Sequence, residues 1–327
     1  MLVGGRDDDA ALIGYLRPVS IGVIDIGSNT LLLLIVDDSG RRLVDLCRFG
    51  RLGQGLDATG RLADEAVARS LEHLREFRRV LDEYGIASPT AIATQATREA
   101  SNGAEFRAAA EAIIRGRIDV IAGEREAELA FTAVARTFPD LAGTPYVVID
   151  VGGASTEFIV GDGARVTSAV SVPIGAVRLT ERHLKHDPPS SDEARALFAD
   201  IDARLSPLQL PVSVPIVATA GTATTMAAIA LQLEVYDPDA VTGFQLAPND
   251  VDRQLAHLLA TSVAERRAIV GLEPQRADVI AAGVAIYARA IRRITAPVLI
   301  TCDRGIRWGI AYERLSTDSA GAGSPSA

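Results

Sequence analysis

The sequence predicts an α/β protein built from two copies of one βββαβαβα unit with a cleft between them. Three observations predict it. Its 327 residues make about two domains at roughly 150 residues each. Apolar runs of strand length alternate with stretches of helical period. And Val23-Ile24-Asp25-Ile26-Gly27-Ser28 returns as Val148-Ile149-Asp150-Val151-Gly152-Gly153 at an offset of 125 residues. That period is too long for a solenoid and suits a duplicated domain.

Residues 21–24 form a short apolar run, and Asp25-Ile26-Gly27-Ser28-Asn29 is turn chemistry. Residues 30–36 are a second apolar run, and 42–49 alternate as a third strand does. Val67, Leu71, Leu74, Phe77 and Leu81 then recur at helical spacing. A strand at 90–94, a helix at about 105–115, a strand at 118–121 and a helix from Glu124 finish the unit. The order restarts with a strand at 146–149 and a turn over 150–155. A return strand at 156–160 and a third strand at 166–172 follow. Helices, a strand at 216–220, more helices, a strand at 298–301 and a last helix complete it. Gly143-Thr144-Pro145 is the natural boundary. The division is an N-terminal extension 1–18, a first domain 19–140, a second domain 141–304, a last helix 305–316 and a polar, disordered tail 317–327.

Hydrophobic residues are 48% and charged residues 23% of the chain, which excludes disorder, collagen and coiled coil. The two cysteines, Cys47 and Cys302, exclude a disulfide scaffold and point to a reducing cytoplasm. A net charge of −9 argues against nucleic acid or an anionic membrane as the main partner. An anionic substrate stays open, because a local site can oppose the global field. The apolar stretch 21–36 is broken by Asp25, Ser28 and Asn29, so it does not read as a membrane span. Residues 1–18 carry Asp7, Asp8 and Asp9 without a basic region and do not read as a signal peptide.

In both halves a strand enters a glycine-bearing turn and leaves as a strand. A Rossmann or Walker loop leaves as a helix with its own glycine spacing, and neither spacing is present. Glycine accepts positive φ and lets a ligand come close, so such a turn aims N–H groups at a phosphate. Ser28, Asn29, Ser155 and Thr156 add side-chain donors. Asp25 and Asp150, at equivalent strand ends, would repel that phosphate unless a hard cation such as Mg²⁺ lay between. Two such turns imply one phosphate compound held in the interdomain cleft. A third turn at Gly221 and Thr222 follows a strand and opens a helix; it is either an anion site or a cap by Thr222.

Glu126 is four residues before Ala130 on a helix whose apolar stripe is Ala127, Ala130, Phe131 and Val134. Buried there, it would be suited to take a proton from water. On spacing alone, a first-turn glutamate favoured by the helix dipole is the better account. Arg98 follows a strand end, where open sheets bind ligands, and can clamp phosphate oxygens. Arg304 and Arg307 are weaker candidates of the same kind. The histidines show no metal pattern; His183 and His186 read as solvated. No cysteine phosphatase spacing and no Ser-His-Asp set can be argued, which leaves water as the nucleophile, activated by a carboxylate and a metal.

At these residues the sequence resembles the exopolyphosphatase/guanosine pentaphosphate phosphatase family, within the actin, heat-shock chaperone and sugar kinase superfamily. The resemblance runs from about Ile21 to Leu315. It rests on Asp25-Ile-Gly-Ser-Asn-Thr, Ala93-Thr-Gln-Ala-Thr-Arg98-Glu, Gly123-Glu-Arg-Glu126-Ala, Asp150-Val-Gly-Gly-Ala-Ser-Thr-Glu157 and Gly221-Thr. It implies two actin-like (ribonuclease H-like) domains, with the last helix, about 305–315, crossing back onto the first. It implies hydrolysis of the terminal phosphoanhydride of inorganic polyphosphate, with Mg²⁺ or Mn²⁺, and a homodimer. By similarity Glu126 is the catalytic base and Glu157 a second carboxylate acting in catalysis or metal binding. Asp25, Asp150 and Glu157 form the metal set. Phosphate falls to Gly27, Ser28, Asn29, Thr30, Gly152, Gly153, Ala154, Ser155 and Arg98, with Gly221 and Thr222 at the third turn.

Two departures stand out. Arg125 occupies a position where the family often has a glutamate, and Ala154 replaces a third glycine, which is expected to reshape the second turn slightly. Larger relatives carry further C-terminal domains, so short polymers are the expected substrate. The alternatives are a pppGpp 5′-phosphohydrolase, a kinase on the same fold, and a non-catalytic sensor of pppGpp or polyphosphate.

Overall fold

The structure, a computed structural model, describes residues 20–162 and 165–321, with side chains to Ser316. Sheet one has five strands in the order β3-β2-β1-β4-β5. They are β1 (Ile21–Ile26), β2 (Leu31–Val36), β3 (Arg42–Arg48), β4 (Thr90–Ala93) and β5 (Ile118–Val120). Sheet two has six in the order β10-β11-β9-β6-β7-β8. They are β6 (Pro145–Val151), β7 (Thr156–Asp162), β8 (Val166–Val172), β9 (Ile216–Thr219), β10 (Gln245–Leu246) and β11 (Leu299–Thr301). In each sheet the first three strands are antiparallel and the next two add in parallel on the other side of the first. The two sheets are therefore copies, with β10 as an extra edge strand of only two residues, too short to leave a periodic signal.

β1 and β6 run further than their apolar runs. The ladder continues through Asp25, opposite Leu32, and through Asp150, opposite Glu157. Both aspartates are strand residues near the carboxyl ends, not turn residues. Backbone pairing on both sides holds them extended whatever their propensity.

One face of sheet one packs on Leu74, Phe77 and Leu81 of the helix Asp64–Glu83. One face of sheet two packs on Ile280, Val284, Tyr287 and Ile291 of the helix Ile280–Ile294. The helix Gly123–Thr137 lies between the two sheets. Its Leu129 and Ala133 pack with Val23, Leu34 and Ile92 of sheet one. Its Ala127, Phe131 and Val134 pack with Tyr146, Val148 and Val217 of sheet two. Phe131 stacks on Tyr146 with ring centroids 5.7 Å apart.

The last helix, Ile306–Gly321, lays Trp308, Ala311 and Tyr312 on the same face of sheet one. It continues past 316, where composition placed the start of a tail. Residues 1–19 and 322–327, which include the whole extension, lie outside the described residues. No helix among the described residues is long and apolar enough to cross a membrane.

The two helices cross closely at Gly309. A Cβ there would stand 2.2 Å from the Leu129 carbonyl oxygen. Gly309→Ala is expected to cost about 1–3 kcal/mol through overpacking, read as a lower urea midpoint. An unchanged midpoint would mean that the crossing relaxes freely.

Candidate active site

The two turns are the same structure. The Gly27 N–H donates to the Thr30 carbonyl at 2.9 Å, and the Gly152 N–H donates to that of Ser155 at 3.0 Å. They also touch. A Cβ on Gly153 would lie 3.1 Å from the Ser28 Cβ and 3.2 Å from the Asn29 nitrogen. Gly27, Gly152 and Gly153 are not among the positive-φ residues. Here glycine provides room for close approach, not access to left-handed backbone. Ala154 is buried and also lacks positive φ, so it leaves the second turn unstrained, contrary to expectation.

A cleft of about 740 Å³ lies over the turns. Gly27, Ser28, Asn29 and Thr30 line it from one side. Gly152, Gly153, Ala154 and Ser155 line it from the other, with Gly221 and Thr222 alongside. Asp25, Glu126, Asp150 and Glu157 bring four carboxylates into it, all buried. Burial, then the charge of Asp150, pushes Asp25 up to about 7, against the pull of Arg307. Burial lifts Asp150 to about 6, against a 2.8 Å hydrogen bond from the Thr219 hydroxyl. Glu126 is raised to about 7, by burial first and by Asp25 and Asp150, while the Arg98 guanidinium 3.0 Å away opposes the rise. Glu157 is raised well above the usual carboxylate range by burial and the charges of Glu126 and Asp150. Its Oε1 accepts a 2.7 Å bond from Ser171. The start of the Glu126 helix abuts that serine: a Cβ on Gly123 would stand 2.5 Å from the Ser171 Cβ.

These raised carboxylates set a stability trend. Asp25 titrates near 3.8 when unfolded and about 7 when folded, so between those values the folded state holds more protons. Stability then falls as pH rises. The thermal midpoint of the protein in chelator is expected to drop from about pH 4 to about pH 7. Asp25→Asn should flatten the drop and raise the midpoint at the alkaline end. A midpoint rising over that window would contradict the buried cluster.

Arg98 is not among the residues lining the cleft. It holds Glu126 and the carbonyl of Ile121. The third turn also differs from its reading. Positive φ falls on Ala220 (64°), and Gly221 makes room for Arg276, whose guanidinium carbon would be 2.3 Å from a Cβ there. Thr222 makes no cap hydrogen bond and packs against Gly283. Arg125 pairs with Glu128 and Glu313, so it ties the Glu126 helix to the last helix outside the cleft. Arg304 stacks over Trp308 and bonds the Tyr312 hydroxyl. His183, read as solvated, is half-buried against Asp200 at 2.8 Å.

Arg307 does line the cleft. It bridges Asp45 of β3 at 3.0 Å and Asp303 at 3.1 Å, and Tyr236 donates to the same Asp303. Arg276 lines it too, with its guanidinium 5.1 Å over the Phe49 ring. Sequence reasoning missed Asp45, Tyr236 and Arg276. Each reaches the cleft only through the fold, and no local pattern marks it.

Among the described residues no three His, Cys, Asp or Glu side chains converge closely enough to hold a metal ion. Asp25, Asp150 and Glu157 therefore do not form a closed three-carboxylate set, since Glu157 is held by serine hydroxyls. Two aspartates remain in one cleft, and the Asp25 Oδ1 is buried without a hydrogen-bond partner. Mg²⁺ keeps much of its water and takes one or two carboxylates plus substrate phosphates. The two aspartates fit that mode.

A model described as the Ppx/GppA phosphatase family matches residues 40–318. The chain is 33% identical over 290 residues to exopolyphosphatase 2 of Mycobacterium tuberculosis, covering 84% of this chain and 90% of that one. It is 30% identical to a solved exopolyphosphatase of Cytophaga hutchinsonii, with a TM-score of 0.84 over 91% of this chain and 98% of that one. It is 36% identical over 165 residues to a guanosine-5′-triphosphate,3′-diphosphate pyrophosphatase of Vibrio cholerae, covering 50% of this chain and 33% of that one.

Proposed function

The chain belongs to the Ppx/GppA phosphatase family, and from that premise we propose that it is an exopolyphosphatase, releasing orthophosphate from the end of short inorganic polyphosphate. The observation that carries the reading is Glu126. It is a buried carboxylate raised to about 7 that lines a cleft together with the two glycine-bearing turns. A base poised near the working pH is both competent and sufficiently deprotonated.

The terminal phosphate rests on the N–H groups and hydroxyls of the turns at Ser28, Asn29, Gly153 and Ser155, which face its developing charge. Glu126 orients a water in line and takes its proton as the oxygen–phosphorus bond forms. The shortened polymer leaves with the bridging oxygen. Arg98 holds the Glu126 carboxylate in place. Glu157, hydrogen-bonded by Ser171, faces the same water. Asp25 and Asp150 would hold Mg²⁺ or Mn²⁺, which neutralises phosphoryl oxygens when bound. Contact between the turns keeps bulk water from the floor of the cleft.

The second reading is pppGpp 5′-phosphohydrolysis. The cleft continues past the turns along Phe49, Leu233, Tyr236 and Leu272, and its 740 Å³ is in the range of small-molecule and cofactor pockets, room enough for more than a phosphate.

The test is phosphate release with Mg²⁺ from short polyphosphate, long polyphosphate and pppGpp. Release chiefly from short polyphosphate is the expected result. Release chiefly from pppGpp moves the protein to the second reading. No release from any of them leaves a binding protein.

A further inference from the structure

The two turns carry arms that meet outside the cleft. In the first domain the N–H of Arg51 donates to the Asn29 carbonyl at 2.9 Å, and that of Gly53 donates to the Ser28 carbonyl at 2.7 Å. The segment after them ends in a single helical turn, Leu56–Thr59, bounded by Gly55 and Gly60, both at positive φ. It carries Asp57. In the second domain the helix Ala176–His183 starts on the other turn. The N–H of Ala176 donates to the Gly152 carbonyl, and those of Val177 and Arg178 donate to the Gly153 carbonyl. Gly175 lies so close that a Cβ would stand 2.5 Å from the Gly153 carbonyl group.

Side chains on the two arms then join. Arg178 donates to Asp57 at 3.0 Å and to Glu99 at 2.7 Å, both in the first domain. Arg182 pairs with Asp57 at 3.0 Å, and the Gly55 N–H donates to Glu181 at 2.9 Å. None of these five side chains lines the cleft. A lone exposed ion pair does little, but a network with a shielded arginine split between two carboxylates is the exception. The Arg178 side chain is 12% exposed.

We propose that Asp57 and Arg178 are positioning residues that lock the two turns to each other from outside the cleft. This rests on the turns holding the reacting phosphate, as the preceding section reads them. Each arm is hydrogen-bonded through its backbone to its own turn, so a shift between the arms becomes a shift between the turns. The donors facing the phosphate then lose their common geometry, and Glu126 loses its line to the water.

Asp57→Ala is expected to lower kcat by roughly 10- to 100-fold, the scale of a misplacement of about 1 Å outside the reacting groups. The thermal midpoint should barely move. Asp57→Glu should restore most of the rate, and Arg178→Lys, which reaches only one carboxylate, should fall between. Arg75→Ala, which breaks an exposed pair on the outer helix, should leave kcat unchanged. Unchanged kcat in Asp57→Ala, or a loss that Asp57→Glu does not rescue, overturns the proposal. If the wild-type protein cleaves neither polyphosphate nor pppGpp, the earlier reading fails, and amide hydrogen exchange at the two turns decides the brace. Faster exchange of the Gly53 and Val177 amides in Asp57→Ala supports it, and equal exchange overturns it.

Discussion

Glu126→Gln is expected to lower phosphate release from polyphosphate by roughly two to four orders of magnitude, the usual span of a general base. Glutamine has nearly the same shape and still offers Arg98 an oxygen, so the packing at the start of the helix survives. What it loses is the ability to take a proton from water. The pH dependence follows from the same site. The Glu126 carboxyl titrates at about 7 in the folded protein. Below that it carries its proton and cannot act as a base. The wild-type rate should therefore climb with pH and level off above about 7. Arg98 opposes the rise of Glu126, so Arg98→Met should move the midpoint to higher pH. Initial rates across the pH range on polyphosphate measure both effects. A glutamine variant that keeps most of its rate would remove Glu126 from the reaction.

Arg307→Leu should destabilise the protein by about 3–5 kcal/mol, the cost of removing one partner from a buried ion cluster. Arg307 comes from the last helix and joins Asp45 of the first sheet to Asp303 at the end of the second. Without it two shielded carboxylates face each other unpaired, and Tyr236 is left bonded to one of them. The deficit should narrow as pH falls, because protonating either carboxylate removes the uncompensated charge. Asp45→Asn added to Arg307→Leu should recover part of the loss. Urea midpoints at acid and neutral pH measure this. A variant as stable as wild type would show that the cluster contributes to neither domain's stability. Activity should fall with it, since Arg307 also bounds the cleft.

Much of the site was legible because its signals are local. A turn of Asp-x-Gly between two apolar runs has its own chemistry, and finding it twice at one offset identified both turns before any fold was known. Thr30 and Ser155 close those turns through their carbonyls, as their equivalent positions imply. Of the two reasons for glycine, close approach holds and positive φ does not. Positive φ and lack of space give the same sequence signal, and only the contact between Gly153 and Ser28 separates them. Arg98 was legible as a site residue but not in its contact. Spacing placed it after a strand; it could not say that a carboxylate from another helix lay within reach.

The duplicated strand order, the place of both turns and the position of Asp25 and Asp150 on equivalent strands can be read from the chain alone. These follow from hydrophobic period and turn chemistry within a few residues. The surroundings of Glu126, Arg276 and Arg307 come from packing between distant segments. Spacing alone favoured a dipole role for Glu126, because a glutamate in the first turn of a helix is ordinarily solvated. Its helix is instead wedged between the two sheets, each taking a different apolar face, so the same first turn is buried and its carboxyl raised. Desolvation and charge pairing depend on what lies across the cleft from distant parts of the chain, and no local pattern encodes that.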